Sequence, residues 1–254
     1  MSLALASLGS GSRGNATLIK SANALLLIDC GFTIKETERR LHIMGHQPQD
    51  IDAILVTHEH SDHIKGVGPF ARKYQLPVYL THGTGQYDGL KKITHMHHIN
   101  THRPFFIGDI EVTPVTVPHD AREPCQFVFR HDNKTAGVLT DLGSITPHVA
   151  EQYRRCDALM LECNHCSEML SMGPYPMSLK QRVGGNWGHL NNHQAANLLS
   201  EIEVDQLQHL VISHVSEKNN TEILARNAIR RVYGTEKSLI MASQDDGIAW
   251  LDIV

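Results

Sequence analysis

Short apolar runs at the start of the chain predict β-strands. Residues 3–8, 16–21 and 24–29 are dominated by Leu, Ile and Ala and are separated by Gly, Ser and Asn, a pattern typical of strands joined by turns. Residues 34–45 then carry apolar positions at helical spacing, and Gly45 follows them as a helix C-cap. The chain therefore begins with strands and continues into a helix.

Strands and helices alternate through the rest of the chain, which indicates a layered α/β fold with sheets inside and helices outside. No internal repeat, low-complexity tract or Pro/Gly-rich linker divides it, so we expect one domain over residues 1–254. The later predicted strands are 52–58, 77–81, 109–119, 125–131, 135–141, 158–164, 207–214 and 247–254, and the later predicted helices are 64–75, 192–202 and 221–234.

Composition places the protein among ordinary globular chains. It has 254 residues, of which 41% are hydrophobic and 20% charged, and a formal net charge of −4 that excludes a globally basic nucleic-acid binder, although not a local basic patch. No apolar stretch is long enough to span a membrane, and the N-terminus lacks the basic start of a signal peptide. We therefore expect a cytoplasmic protein that does not engage membranes.

Five cysteines, an odd number without framework spacing, fit a reducing compartment better than a disulfide scaffold. Cys163 and Cys166 form a tight pair, but no second pair completes four ligands, so a structural zinc site is not favoured. A glycine-rich stretch, GSGSRG at 9–14, matches the dinucleotide-binding fingerprint only in its letters. The fingerprint requires a following helix, whereas residues 15–29 alternate like a hairpin, so we expect a tight turn.

Histidines and aspartates cluster where predicted strands end. The sequence contains 18 histidines, and four predicted strands each terminate in an imidazole or a carboxylate. The groups just past strand ends line one crevice in α/β sheets, which is where such folds bind ligands. The clustered residues are His58, His60, Asp62 and His63 after one strand, and His119, Asp141 and His214 after three others.

Seven such groups exceed the needs of one ion but suit two divalent cations about 3.5–4 Å apart. We assign His58, His60 and His119 to the first ion; Asp62, His63 and His214 are assigned to the second, with Asp141 as the bridge. Zinc fits this His/Asp set best, although manganese or iron is possible.

Two further groups of residues can be explained by structural roles as well as by functional ones. Asp29 ends a predicted strand and would accept a hydrogen bond from a liganding imidazole, although it could instead be an N-cap or turn carboxylate. Residues 94–102 carry four histidines without a carboxylate, and we interpret them as a surface loop. The remaining histidines are interpreted as structural.

These motifs resemble those of the metallo-β-lactamase-fold hydrolases. THEHSDH at 57–63 matches their H-x-H-x-D-H motif, and His119, Asp141 and His214 follow in the order of their later ligands. Within that superfamily the chain is similar to the YycJ (WalJ) branch, through LGSGSRGN at 8–15, the stretch 162–183, GHLNN at 188–192 and SHVSEKNN at 213–220. Cys166 departs from the branch pattern, which has aspartate there.

The resemblance implies a four-layer αββα sandwich and a metal-dependent phosphodiesterase, of the 5′-exonuclease kind, acting on DNA or RNA. A hydroxide between two cations would be the nucleophile. Asp62 would then be indispensable, and His189 and His165 would be candidates for the general acid. The residues expected to hold substrate phosphates are Ser10, Ser12, Lys180, Arg182, Asn219 and Asn220.

Other functions are compatible with parts of this pattern. A glyoxalase-II-like thioesterase or a small-molecule phosphodiesterase would use the same ligands, but the thioesterase would need a basic pocket, and the late basic cluster 226–234 lies on a helix expected to pack outside. A secreted β-lactamase is disfavoured by Asp141, where those enzymes commonly use cysteine. A non-enzymatic binding module would be expected to have lost ligands, and the sequence retains all seven.

Overall fold

The computed structural model describes residues 3–235 and 237–254 as an alternating series of strands and helices. The strands are β1 (Ala4–Gly9), β2 (Ala16–Lys20), β3 (Leu25–Ile28), β4 (Ala53–Leu55), β5 (Val78–Leu80), β6 (Met96–His98), β7 (Phe105–Ile107), β8 (Ile110–Thr116), β9 (Cys125–His131), β10 (Lys134–Leu139), β11 (Ala158–Glu162), β12 (His209–Ser213), β13 (Leu239–Met241) and β14 (Ile248–Asp252). The α-helices are α1 (Ile34–Ile43), α2 (Ser61–Ile64), α3 (Val67–Tyr74), α4 (Pro147–Gln152), α5 (Ser167–Met172), α6 (Met177–Val183), α7 (Asn192–Glu201) and α8 (Glu222–Tyr233).

The strands form two mixed sheets. The first has the order β14-β1-β2-β3-β4-β5-β6 and the second the order β13-β12-β11-β10-β9-β8-β7. In each sheet an antiparallel part is followed by a parallel part, which begins at the β3–β4 pair in the first sheet and at the β10–β11 pair in the second. Parallel strands need crossover helices, which explains why helices accompany those halves.

Three separate apolar clusters define four layers. Leu26 and Ile28 of β3 face the second sheet, whereas Leu25 and Leu27 face α1 and α3. The second sheet repeats this division against α4, α7 and α8. Because both faces of each sheet are covered, the strands are apolar at consecutive positions rather than at alternate ones. The expected four-layer αββα sandwich is confirmed.

Helix α1 shows why the predicted boundaries held. The Thr33 hydroxyl accepts a hydrogen bond from the Glu36 amide at the N-terminus, and Gly45 follows the last turn with φ +79°. Arg40 on this helix is almost fully buried and donates hydrogen bonds to the carbonyls of Leu8 and Gln244. The helix is therefore anchored to the end of β1.

Several elements differ from the prediction. The expected helix 64–75 is two helices, α2 and α3, broken at residues 65–66. The expected loop 94–102 contains β6, an exposed strand that pairs in parallel with β5 at the sheet edge. Helices α4, α5 and α6 were not predicted, because each has only six or seven residues and too few turns for a clear period.

The glycine-rich stretch 9–14 is followed by β2 and no helix, which confirms the turn prediction. Strands β2 and β3 pair antiparallel as the hairpin expected there. Among residues 3–235 and 237–254, no helix is both long enough and apolar enough to cross a bilayer.

Candidate metal centre

The seven predicted ligands meet at one end of the two sheets, where the parallel strands finish. They follow β4, β8, β10 and β12, in the loop after each strand or, for Asp62 and His63, in the short helix α2, and some of them line a cavity of about 330 Å³ that opens to the surface. Each of the two predicted ion sets places its ligand atoms within 4.8 Å of one another. The structure therefore brings together the residues that the strand-end argument selected.

Hydrogen bonds to Asp29 orient two of the imidazoles. The buried Asp29 carboxylate accepts from the Thr57 amide at 2.9 Å, from the Thr57 hydroxyl at 2.8 Å and from His63 Nδ1 at 2.7 Å. Because the Thr57 hydroxyl proton is directed to Asp29, His58 Nδ1 donates to that hydroxyl oxygen at 2.9 Å. The Nε2 atoms of His58 and His63 are then left facing the cluster. The supporting position predicted for Asp29 agrees with these contacts.

The first ion set contains nitrogen lone pairs without proton donors. His60 Nε2 donates to the Asp120 carbonyl at 3.2 Å, and His119 Nδ1 donates to the Gly188 carbonyl at 2.9 Å. When both rings are neutral, the remaining nitrogens, His60 Nδ1 and His119 Nε2, carry lone pairs, and they face each other at 3.2 Å. His58 Nε2 is buried with no hydrogen-bond partner among the described residues. Three converging lone pairs fit a cation.

The second ion set is more acidic. Asp62 Oδ2 lies 3.5 Å from His63 Nε2 and 4.0 Å from His214 Nε2. Asp141 lies between the sets, with Oδ2 at 3.2 Å from His63 Nε2 and 2.9 Å from His214 Nδ1. The donor set of imidazole nitrogens and carboxylate oxygens suits zinc, manganese or iron.

The pKa values of two candidate ligands, His58 and His63, are shifted in opposite directions by burial and by neighbouring charge. Burial lowers the pKa of His58 well below its usual value, so this imidazole is neutral as a ligand requires. Burial also opposes charge on His63, but the carboxylates of Asp141, Asp29 and Asp62 override it and raise the pKa of His63 well above its usual value. The centre is thus strongly attractive to positive charge.

The glycine-rich stretch 9–15 supports the centre. The Asn15 amide nitrogen donates to the Asp62 carbonyl at 2.8 Å, and its side-chain Nδ2 lies 3.3 Å from Asp62 Oδ2. Ser10 Oγ accepts from the His214 amide at 2.9 Å. A stretch that resembles a nucleotide-binding loop therefore holds the loops of two ligands. Sequence reasoning missed Asn15.

Three residues at the centre have a left-handed backbone. Asp29, Asp141 and His214 have φ of 60°, 54° and 49°. Non-glycine residues adopt this region rarely and at a cost of about 1–3 kcal/mol, which the surrounding structure must offset. Each of the three is held by hydrogen bonds to its side chain or amide, so the strand ends turn sharply into the cavity.

Glu162 is a second residue that sequence reasoning missed. It ends β11, is fully buried, and its Oε1 accepts from His189 Nδ1 at 2.7 Å. Its Oε2 accepts from the amides of Leu142 at 3.2 Å and Leu190 at 3.0 Å. Burial opposes protonation of His189, but Glu162 and Asp141 raise the pKa of His189 to about 9. The predicted strand 158–164 runs past Glu162, so the strand-end pattern did not select this residue.

Residues 25–214 match the family described as the beta-lactamase superfamily domain. The chain is 36% identical over 240 residues to "Exodeoxyribonuclease YycJ" of Bacillus anthracis, an alignment that covers 91% of this chain and 89% of that protein. The chain belongs to the metallo-β-lactamase superfamily. "Exodeoxyribonuclease WalJ" of Streptococcus pneumoniae is 35% identical over 224 residues, covering 86% of this chain and 83% of the relative.

Solved structures confirm the metallo-β-lactamase fold. YhfI of Bacillus subtilis, described as a metallo-beta-lactamase fold protein, superposes with a TM-score of 0.75 at 19% identity and covers 98% of this chain and 99% of its own. Zn²⁺-bound PqqB of Methylobacterium extorquens superposes with a TM-score of 0.72 at 16% identity, covering 98% of this chain and 99% of its own. These structures show the fold alone; the family match and the two relatives make the chain a metallo-β-lactamase-fold hydrolase, and this fold with its His/Asp clusters implies divalent metal binding.

The predicted phosphate contacts divide into two groups. Ser12, Arg182 and Asn219 line the metal cavity. Arg182 is tied to Asp120, with Nε 2.5 Å from Oδ2. The other three are engaged elsewhere: Ser10 is buried under the His214 amide, the Lys180 amine donates to the Ser171 carbonyl, and the buried Asn220 bonds Asn192.

The two candidates for the general acid, His189 and His165, line different cavities. His189 lines the metal cavity, whereas His165 lines a different cavity on the other side of α6. Helix α8, with Arg230 and Arg231, packs on the outer face of the second sheet, away from the metal cavity. These arginines therefore do not form the basic pocket that a glyoxalase-II-like thioesterase would need beside the metal centre.

Proposed function

We propose that this hydrolase is a dinuclear phosphodiesterase that degrades nucleic acid from a 5′ end, with DNA as the preferred substrate. The observation that carries the proposal is the convergence of His58 Nε2, His60 Nδ1 and His119 Nε2 beside an acidic set. That arrangement has places for two cations. The names of the two relatives that align over most of the chain support DNA as the substrate.

Two divalent cations in these sets, zinc in the first instance, would supply Lewis acidity and a water whose pKa is lowered toward neutrality. His58, His60 and His119 would hold the first, Asp62, His63 and His214 the second, and Asp141 would contact both. Asp29 and Thr57 fix the rings that point at the cations.

The chain's own residues would then handle the substrate and the proton. The Nδ1–H of His189 donates a hydrogen bond to Glu162, so that Nε2 would face the cavity and pass a proton to the leaving oxygen. Ser12, Arg182 and Asn219 line the approach and are placed to contact flanking phosphate oxygens. Arg182 would exchange its Asp120 partner for phosphate.

A substrate panel tests the proposal. Protein reconstituted with Zn²⁺ or Mn²⁺ is assayed on bis-p-nitrophenyl phosphate, end-labelled single- and double-stranded DNA and RNA, and a glutathione thioester. We expect turnover of the phosphodiesters, with DNA degraded from the 5′ end. Turnover of the thioester alone would instead assign the site to the thioesterase class. Asp62→Ala and His63→Ala should each abolish hydrolysis in a folded protein, and activity in both would remove the second cation from the mechanism.

A further inference from the structure

Helix α6 separates two cavities. Leu179, Arg182 and Val183 line the metal cavity, whereas Lys180 and Gln181 line the second cavity, of about 320 Å³. The helix has no buried residue and, with its side chains, is about 10–12 Å across. We define the second cavity by six of its lining residues, His165, Leu170, Ser171, Met177, Lys180 and Gly184.

His165 is the unexplained group in the second cavity. Its side chain is only 2% exposed, and Nδ1 is buried without a hydrogen-bond partner among residues 3–235 and 237–254. Its backbone is fixed, since His165 forms a parallel β-bridge with Asn191 and its carbonyl accepts from the Asn192 amide at 2.9 Å. A buried polar atom without a partner is unfavourable, so a ligand that supplied a hydrogen bond to the His165 ring would recover that cost.

The chemistry of the lining indicates what the ligand is. The lining contains no aspartate or glutamate, and the amine of its one cation, Lys180, donates to the Ser171 carbonyl. Leu170 and Met177 provide apolar surface, and Met177 is 66% exposed at the edge of the cavity. Burial lowers the pKa of His165 to about 4, so its ring is neutral and offers one donor and one acceptor. A flat, neutral ring with polar edges matches these walls.

We propose that the second cavity binds a nucleobase of the substrate strand, with His165 contacting the edge of the base, while a neighbouring phosphodiester lies in the metal cavity across α6. This assignment rests on the proposed nuclease function and makes His165 a specificity residue rather than the general acid. The volume falls in the range of about 300–1,000 Å³ typical of ligand pockets, which is ample for one base.

Single abasic substitutions in an oligonucleotide test the assignment. An abasic residue is moved through the first positions of a 5′-labelled DNA strand, and kcat and KM are measured for each strand. We expect one position at which loss of the base raises KM about tenfold. His165→Phe should show the same loss on the intact strand and no further loss on the abasic strand. His165→Gln, which keeps a donor and an acceptor, should restore part of the difference.

Two more variants separate local binding from misfolding. Gly184→Ala adds a methyl group to the cavity wall, 3.2 Å from Leu170 Cδ2 and 3.8 Å from His165 Nε2, and should also remove the base effect. His193→Phe makes the same chemical change at an exposed histidine of α7 and should behave as the wild type. Equal effects of abasic positions in wild type and His165→Phe, or no effect at any position, overturn the assignment.

Failure of the proposed function is distinguished by two further measurements. Bis-p-nitrophenyl phosphate has no base, so the ratio of kcat/KM for DNA to that for this ester isolates the contribution of the second cavity. Binding is also followed by fluorescence anisotropy with phosphorothioate-linked strands, which resist hydrolysis. Base-dependent binding without hydrolysis of any phosphodiester would retain the base site and reject the nuclease, whereas hydrolysis without base-dependent binding would do the reverse. Free deoxynucleoside monophosphate, tested as a competitor, shows whether the base must belong to a strand.

Discussion

Glu162 Oε1 accepts a hydrogen bond from His189 Nδ1 at 2.7 Å, while two backbone amides hold the other carboxylate oxygen. This arrangement fixes the His189 ring with Nδ1 protonated and its other nitrogen toward the metal cavity. The orientation and the positive charge of the ring are therefore favoured by a residue that lies behind His189 and is fully buried.

The first prediction concerns this pair. We expect His189→Ala to lower kcat by about 10²–10⁴ if His189 is the general acid. Glu162→Gln should lower kcat by a smaller factor, because the neutral amide removes the charge that raises the pKa of His189 and so reduces the share of imidazolium that can supply the proton. Steady-state kinetics and metal analysis provide the measurements, and metal content should stay at the wild-type level in both variants.

Glu168→Gln serves as the matched control. Glu168 follows Glu162 in the sequence but is exposed on α5, outside the metal cavity. Loss of a metal ion from His189→Ala would instead make His189 a ligand beside Asp141 and His214, a grouping that the geometry also permits.

A second prediction concerns Asp29, whose carboxylate directs His63 and Thr57. Asp29→Asn keeps the left-handed backbone at φ 60°, which asparagine tolerates, but removes the charge that His63 faces. Partners of this kind typically change metal affinity by about 10–100-fold, and we expect a loss in that range. Competition with a chromogenic chelator measures it. Asp109→Asn, at a carboxylate bonded to Ser21 and Asn23 away from the centre, should leave metal affinity unchanged.

The convergence of the seven candidate ligands could be predicted because a chemical pattern repeats along the chain. Strands at 52–58, 109–119, 135–141 and 207–214 each end in a ligand, and the topology places those ends together. The pattern did not extend to Glu162, since a lone carboxylate after an apolar run is ambiguous without its histidine partner. That partner, His189, is 27 residues away and on a loop.

The cavity walls could not be predicted for a different reason. Helices α5 and α6 are short and contribute one buried residue between them, Leu170, so they lack the apolar period that identifies longer helices. The left-handed turns at Asp141 and His214 are equally hard to predict from the sequence, because tertiary hydrogen bonds rather than local conformational preference stabilise them. His165 was one of two candidates for the general acid from its motif, and it lines the cavity on the other side of α6 rather than the metal cavity.

A third prediction concerns metal and stability. A ligand that binds only the folded state stabilises it by about 4 kcal/mol at 1,000 times its Kd. For a chain of this size that corresponds to a rise in Tm of about 8–16 °C on adding Zn²⁺ to chelator-treated protein. Differential scanning calorimetry measures the shift. His58→Ala combined with Asp141→Ala should lose most of it, and an equal shift in that variant would place the stabilising metal elsewhere.

The last prediction compares two glycines. A Cβ on Gly31 would lie 1.8 Å from the Asp62 carbonyl oxygen, so Gly31→Ala must displace the backbone of α2 at Asp62. A Cβ on Gly45 meets nothing within 4 Å, and its cost is only the positive φ of +79°, about 1 kcal/mol. We expect Gly31→Ala to lower both the thermal stability and the metal affinity of the protein. Gly45→Ala should lower the thermal stability slightly and leave the metal affinity unchanged. Thermal melts and chelator competition on both variants decide it: equal metal affinity in the two would mean that the close approach of Gly31 to Asp62 does not position the ligand.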